Sequence, residues 1–252
     1  MKLWMGLSLV LALGLTAGCS SEYDASLNLP STDGDNNNLS EDPNENVLTP
    51  TPNPTPDDTP AFAYEPLSWE SARSDSKPWS TYAFKVIREE AYDSLNKAID
   101  ADVFCPNYHN LSKDQRINFW GALISGITKF ESGYNPTTRY HESTMGTDPI
   151  TKQPVYSEGL LQLSYQDVQW AKYCEFDWSK DKNLKPTDPK KTIFDPYKNL
   201  RCGIKILAAQ VNRSKEILLT SGVYWAVIRE GGRYEKIDEI AVITKKLTFC
   251  KK

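Results

Sequence analysis

The 252-residue sequence predicts a mainly α fold, with one helical domain over residues 67–252, a small loop or hairpin excursion within it, and a disordered tether before it. Three observations predict this. Apolar residues in 67–252 recur at helical spacing. Capping residues stand at the ends of those runs. One stretch, Tyr134 to Leu163, turns polar and rich in Gly and Pro. The region of about 185 residues is long enough for one domain with a full core.

Taken in order, Thr81 to Ala101 places Phe84, Ile87, Ala91, Leu95 and Ile99 on one face. Ser112 caps the next helix. There Phe119, Trp120, Leu123, Ile124, Ile127 and Phe130 make the wide apolar stripe of a central buried helix. Gly133 with Pro136 ends it. In the polar stretch, Val155-Tyr156 reads as a short strand. Ser164 caps a third helix that runs to about Cys174. Asp195-Pro196 joins an N-cap to a proline at the first helical position. It opens a helix from Tyr197 to about Arg213, with Leu200, Ile204, Leu207 and Val211 inward. Tyr224 to Arg229 and Glu235 to Lys245 complete the helical set.

Residues 1–19 are a targeting segment. Lys2 precedes an apolar run, Leu3 to Leu15, that is too short to span a membrane. The run ends in Leu15-Thr16-Ala17-Gly18-Cys19. Small residues before a cysteine resemble a bacterial lipobox, with Thr16 where Leu is usual. The resemblance implies that Cys19 is lipidated and becomes the mature N-terminus. Ser20 after it implies the outer membrane of a Gram-negative cell envelope. A plain secretion signal is the alternative. Residues 20–66 hold Thr49-Pro50-Thr51-Pro52-Asn53-Pro54-Thr55-Pro56, an Asn36-Asn37-Asn38 run and few large apolar side chains. Such a segment cannot bury enough surface to offset its ordering entropy. Fully extended it reaches roughly 140–160 Å, so an anchored domain can work well away from the membrane.

The charge is divided between tether and domain. The chain has 29 Lys+Arg and 33 Asp+Glu, a net of −4. The tether holds ten acids and no base, and Lys2 leaves with the signal. Residues 67–252 therefore keep 28 bases against 23 acids, a net of +5. A mildly basic domain suits an anionic polymer. The charge is too dispersed for nucleic acid, and no basic-aromatic motif for that is present. Beyond Cys19, four cysteines remain, Cys105, Cys174, Cys202 and Cys250. An even count behind a secretion signal implies two disulfides, with three connectivities open. Cys174 with Cys202 would staple the segment between two helices. Cys105 with Cys250 would tie the first helical hairpin to the C-terminus. Wide spacings, no Cys-x-x-Cys and only His109 and His141 to help argue against zinc.

The chemistry is concentrated in two runs. Glu131 lies in Lys129-Phe130-Glu131-Ser132-Gly133-Tyr134-Asn135-Pro136, at the end of the central helix. A carboxylate there loses hydration, so its pKa should rise until it holds a proton near neutral pH. That is what a glycosidase requires of its general acid. The second run, Ser157-Glu158-Gly159-Leu160-Leu161-Gln162-Leu163-Ser164, supplies a tight turn to wall the same cleft. Two histidines build no convincing Ser-His-Asp arrangement, His141 has no task in an acid mechanism, and no phosphate-cradling Gly-rich loop appears.

Together the two runs resemble the lysozyme-like superfamily, specifically the soluble-lytic-transglycosylase (SLT) type and goose-type lysozymes. Glu-Ser-x-x-x-x-Pro-like and Gly-Leu-Met-Gln-like runs carry the active site there. Asp195-Pro196-Tyr197-Lys198-Asn199-Leu200-Arg201-Cys202-Gly203 is similar to a later pattern of that family. Tyr224-Trp225-Ala226 stands where the family has an aromatic Ala-Tyr-Asn-like element, and lacks its Asn. The resemblance spans roughly residues 112–232 and comes nearest to secreted lysozymes of predatory bacteria, some of which favour de-N-acetylated wall. It implies cleavage of the peptidoglycan β-1,4 bond between N-acetylmuramic acid and N-acetylglucosamine by a monomer, with no cofactor or metal.

Glu131 is the expected acid. Glu142, in the polar loop after Tyr140-His141, is the candidate for activating water, and Glu158 is another. If neither acts, the muramic 6-hydroxyl attacks instead and an anhydro product forms. Ser132, Ser157, Gly159 and Gln162 are candidates for orienting sugar or acid. Of the aromatics Tyr140, Tyr156, Tyr224 and Trp225, the expected sugar contacts are Tyr140 and, most of all, Tyr224. A non-catalytic wall-binding lipoprotein and a glycosidase for de-N-acetylated glycan are the competing readings.

Overall fold

The computed structural model describes residues 62–251. The signal, Cys19 and tether residues 20–61 lie outside the described residues, as does Lys252. Residues 62–66, within the expected tether, already pack against the domain. Tyr64 stacks on Phe84 with ring centroids 4.2 Å apart. The Glu65 backbone exchanges two hydrogen bonds with the buried Asn118 amide.

Helix α1 (Ser68–Ala72) and α2 (Lys77–Val86) come first. A π-helical turn, Ile87–Ala91, follows, then α3 (Tyr92–Leu95). The sequence expects one helix from Thr81 to Ala101 here. The structure breaks it twice. The π turn carries Glu90 to Arg201 and Lys205, which hold its carboxyl down at about 2. Beyond Leu95 the chain leaves the helix, because the Asp100 carboxylate accepts from Ile217 N and Leu218 N. Ile99, expected on the inward face, is accordingly 65% exposed.

Helix α4 (Lys113–Ser132) is the centre of the fold. Ser112 and Gln115 form the reciprocal cap at its start. Ile117, Phe119, Trp120, Leu123, Ile124 and Ile127 are fully buried along it. It is covered on several sides, so buried residues occupy almost its whole circumference. Phe84 of α2 packs over Gly121. Gly133, at φ 60°, closes the helix in the left-handed conformation.

The polar stretch forms an antiparallel hairpin of β1 (Arg139–His141) and β2 (Tyr156–Glu158). Arg139 faces Glu158, Tyr140 faces Ser157 and His141 faces Tyr156. The third expected helix, Ser164 to about Cys174, is only a 3-10 turn over Tyr165–Gln169. The Asp167 carboxylate caps Ser164 N, and the chain then turns so that Cys174 reaches Cys202. A short α5 (Trp178–Asp181) precedes α6 (Pro196–Ser214), which Asp195 caps through Tyr197 N and Lys198 N. Tyr224 to Arg229 holds only a 3-10 turn, Ala226–Ile228. Trp225 before it stays extended, where its indole donates to Leu161 O at 2.8 Å. Helix α7 (Ile237–Thr244) closes the set and seats Ile240 on Gly126 of α4.

Two disulfides form, Cys105–Cys250 and Cys174–Cys202. They fit an oxidising compartment. Among the described residues no helix is long and apolar enough to cross a membrane.

Candidate active site

Glu131 sits in the last turn of α4 and is half-buried. Burial, followed by the nearby Glu142 carboxylate, pushes its carboxyl up to about 7. The carbonyl-bearing end of the helix acts in the same sense, since it disfavours a negative charge. Glu142 comes from the residue after β1. Its N–H donates to Val155 O at 3.0 Å, and its Oε1 accepts from Ser157 Oγ at 2.6 Å. Two strands of the hairpin therefore hold one carboxylate toward the helix that carries the other.

Tyr224 completes the group. Its hydroxyl donates to Asp167 Oδ2 at 2.6 Å and feels the charges of Asp167, Glu131 and Glu142. Burial, first, and these charges hold the phenol well above its ordinary range, so it remains a neutral donor. Asp167 is buried, and that burial raises its own carboxyl despite the bond from Tyr224. Trp170, 55% exposed, lies 6.3 Å from the Tyr224 ring and offers a second aromatic surface.

The remaining sequence candidates divide by where their side chains go. Tyr140 is 63% exposed on β1, open to a ligand. Ser157 binds Glu142. Ser132 returns its hydroxyl to Thr128 O. Gly159 is buried at φ +85°, and a Cβ there would meet Asn199 Nδ2 at 2.2 Å. Its conformation and the close Asn199 amide fix it in the turn. Gln162, at φ +48°, donates to Thr138 O and Gly159 O and so braces the same turn. Glu158, the alternative second carboxylate, is 2% exposed and pairs with Lys191 and Arg139. It cannot reach a cleft water while so held. Trp225 is core, and Tyr156 lies beneath the Arg139 guanidinium. Asp167 and Trp170 are absent from the sequence reading. Nothing local marks their place beside Tyr224, since Asp167 meets Tyr224 across 57 positions.

No family model matches the sequence, and no curated protein does. Among solved structures, the wild-type Bd0314 DslA, a Bdellovibrio protein, superposes at a TM-score of 0.60 with 30% identity, covering 74% of this chain and 98% of its own. The chain belongs to the DslA family. Two further DslA structures are Glu-to-Gln variants. They match at a TM-score of 0.60 with 29% and 30% identity, each covering 73% of this chain and 97% of its own. The two glutamates replaced in those DslA variants stand eleven positions apart.

Proposed function

We propose that this chain is a lysozyme-like enzyme of SLT type that cleaves the β-1,4 bond between N-acetylmuramic acid and N-acetylglucosamine in peptidoglycan. One observation carries the reading. The half-buried Glu131 holds its proton near neutrality at about 7, facing a second carboxylate that Ser157 fixes. The spacing of the two DslA substitutions, eleven positions, is that of Glu131 and Glu142 and supports the pair.

In this mechanism the Glu131 carboxyl gives its proton to the glycosidic oxygen as the bond to the anomeric carbon breaks. Glu142 takes a proton from a water that attacks that carbon from the other face, so the product is a reducing muramic end. Tyr224 and Tyr140 flank the sugar, with Asp167 keeping the Tyr224 hydroxyl oriented. The basic domain, +5 over residues 67–252, favours the anionic wall. The lipid anchor at Cys19 belongs to the same proposal and places the monomer in the cell envelope.

Mass spectrometry of purified peptidoglycan after digestion tests the activity and the product type together. Reducing muropeptides support hydrolysis, anhydro ends indicate transglycosylation, and undigested wall refutes the enzyme. Parallel digestion of acetylated and de-N-acetylated walls reads the substrate preference.

A further inference from the structure

Glu158, Lys191 and Arg139 make a buried ionic group for which the reaction has no use. Glu158 Oε1 accepts from Lys191 Nζ at 2.5 Å and from Arg139 Nε at 3.0 Å. Lys191 is 3% exposed. Its ammonium also donates to Pro186 O and lies 4.7 Å from the Phe194 ring centroid. The Arg139 guanidinium covers the Tyr156 ring. These charges come from β1, β2 and the segment leading into α6. A buried ion pair adds little net stability over apolar groups of the same shape. Its effect is geometric instead.

The geometry leads to the cleft. Successive side chains of a strand point to opposite faces. Glu158 is drawn back toward Lys191, so Ser157 beside it points forward, and Ser157 holds Glu142. Arg139 faces Glu158 in register, which fixes β1, and Glu142 follows β1 directly. A slip of one residue would turn Ser157 away. A cavity of about 100 Å³ lies among Arg139, Glu158, Lys191 and Asp181. It gives the strand room to move once the pairing is lost.

We propose that Lys191, acting through Glu158 and Arg139, is a positioning residue that sets the hairpin so that Ser157 presents Glu142 to Glu131. Its kinetic consequence rests on the proposed hydrolase reading. Its structural consequence does not.

The test is carboxyl 13C NMR titration of Glu131 in the folded domain. The titratable groups facing Glu131 are Glu142 from the hairpin and Tyr224, with Asp167 behind Tyr224. Glu142→Gln removes one charge and should lower the Glu131 titration from about 7. Lys191→Met should lower it in the same direction and by most of that amount, because Glu142 moves away. The double variant should titrate like Glu142→Gln alone, and Lys191→Arg should restore the wild-type value. If Lys191→Met fails to fold, Lys191→Met with Glu158→Gln leaves no unpaired buried carboxylate, and the same fall is expected there. An unchanged Glu131 titration in a folded variant, or additive shifts in the double variant, would overturn the proposal. In wall-cleavage assays Lys191→Met should lower kcat by about 10²-fold with KM little changed, the scale of a misplaced catalytic group. Failure of every form to cleave wall would refute the hydrolase reading and leave the titration result standing.

Discussion

Glu131 has two pH signatures with separate readouts. If it is the proposed general acid it works protonated, so activity should fall as pH rises through about 7. Its effect on stability has the same sign. A carboxyl raised from 4.5 to about 7 by folding binds its proton more tightly in the native state. The stability it contributes is complete below about 4.5 and is lost as pH rises through about 7. Glu131→Gln stays neutral throughout. Denaturation should find it equal to wild type at pH 4 and more stable by about 1–3 kcal/mol at pH 8, while wall cleavage is abolished. Comparable lysis by the variant would remove Glu131 from the mechanism. For Glu142 the proposed role in hydrolysis is tested by the product. If it activates water, Glu142→Gln should cost hydrolysis roughly 10²–10⁴-fold. Anhydro products from wild type, unaffected by that substitution, would assign transglycosylation and leave the role of Glu131 intact.

At the scale of elements, the cleft depends on the turn after β2, and Asn199 of α6 holds that turn. Its Oδ1 accepts from Leu161 N at 2.8 Å, and its Nδ2 donates to Glu158 O and Ile193 O. Gly159 leaves the space that this amide needs. Asn199→Ala strands two buried backbone groups, Leu161 N and Ile193 O, while Glu158 O keeps its bond from Leu163 N, and it should cost about 2–4 kcal/mol in chemical denaturation. Asn199→Asp keeps the acceptor for Leu161 N but loses the donors, so it should recover only part. A loss under about 0.5 kcal/mol for Asn199→Ala would mean that water satisfies the turn. These elements also mark what a sequence discloses. The caps at Ser112 and Asp195 are legible because a cap acts within three residues of itself. The apolar stripe of α4 is legible because it repeats within the helix. Glu131 is nominated for the same reason, by its local run, and Glu142 by its place in the polar loop eleven residues on. Helix lengths at Leu95 and Gln169 are misread because remote partners decide them, Ile217 in one case and Cys202 in the other. Glu158 looks like a second carboxylate until its partner Lys191, 33 positions on, is brought beside it.

For the whole molecule, the two disulfides constrain very different lengths of chain. Cys174–Cys202 closes a separation of 28 residues, from the segment after the 3-10 turn to α6. Cys105–Cys250 closes 145 and ties the loop after α3 to the end of the described chain. It encloses α4, the hairpin and α6, so it guards the arrangement that carries both carboxylates. If a crosslink stabilises by limiting the unfolded chain, the gain grows with the logarithm of the loop. That gives about 5 kcal/mol for the long bridge and about 3.5 kcal/mol for the short one. The oxidised domain, which lacks Cys19, should show no free thiol. Replacing Cys105 and Cys250 together by Ser should then lower stability by about 1.5 kcal/mol more than replacing Cys174 and Cys202. Equilibrium unfolding in guanidinium of both double variants, with equal slopes, measures the difference. A larger loss from the Cys174–Cys202 pair would reverse the order. It would place the stabilisation in the native segment between the 3-10 turn and α6, where Arg201 also gathers Glu90 and Glu175 beside Cys202.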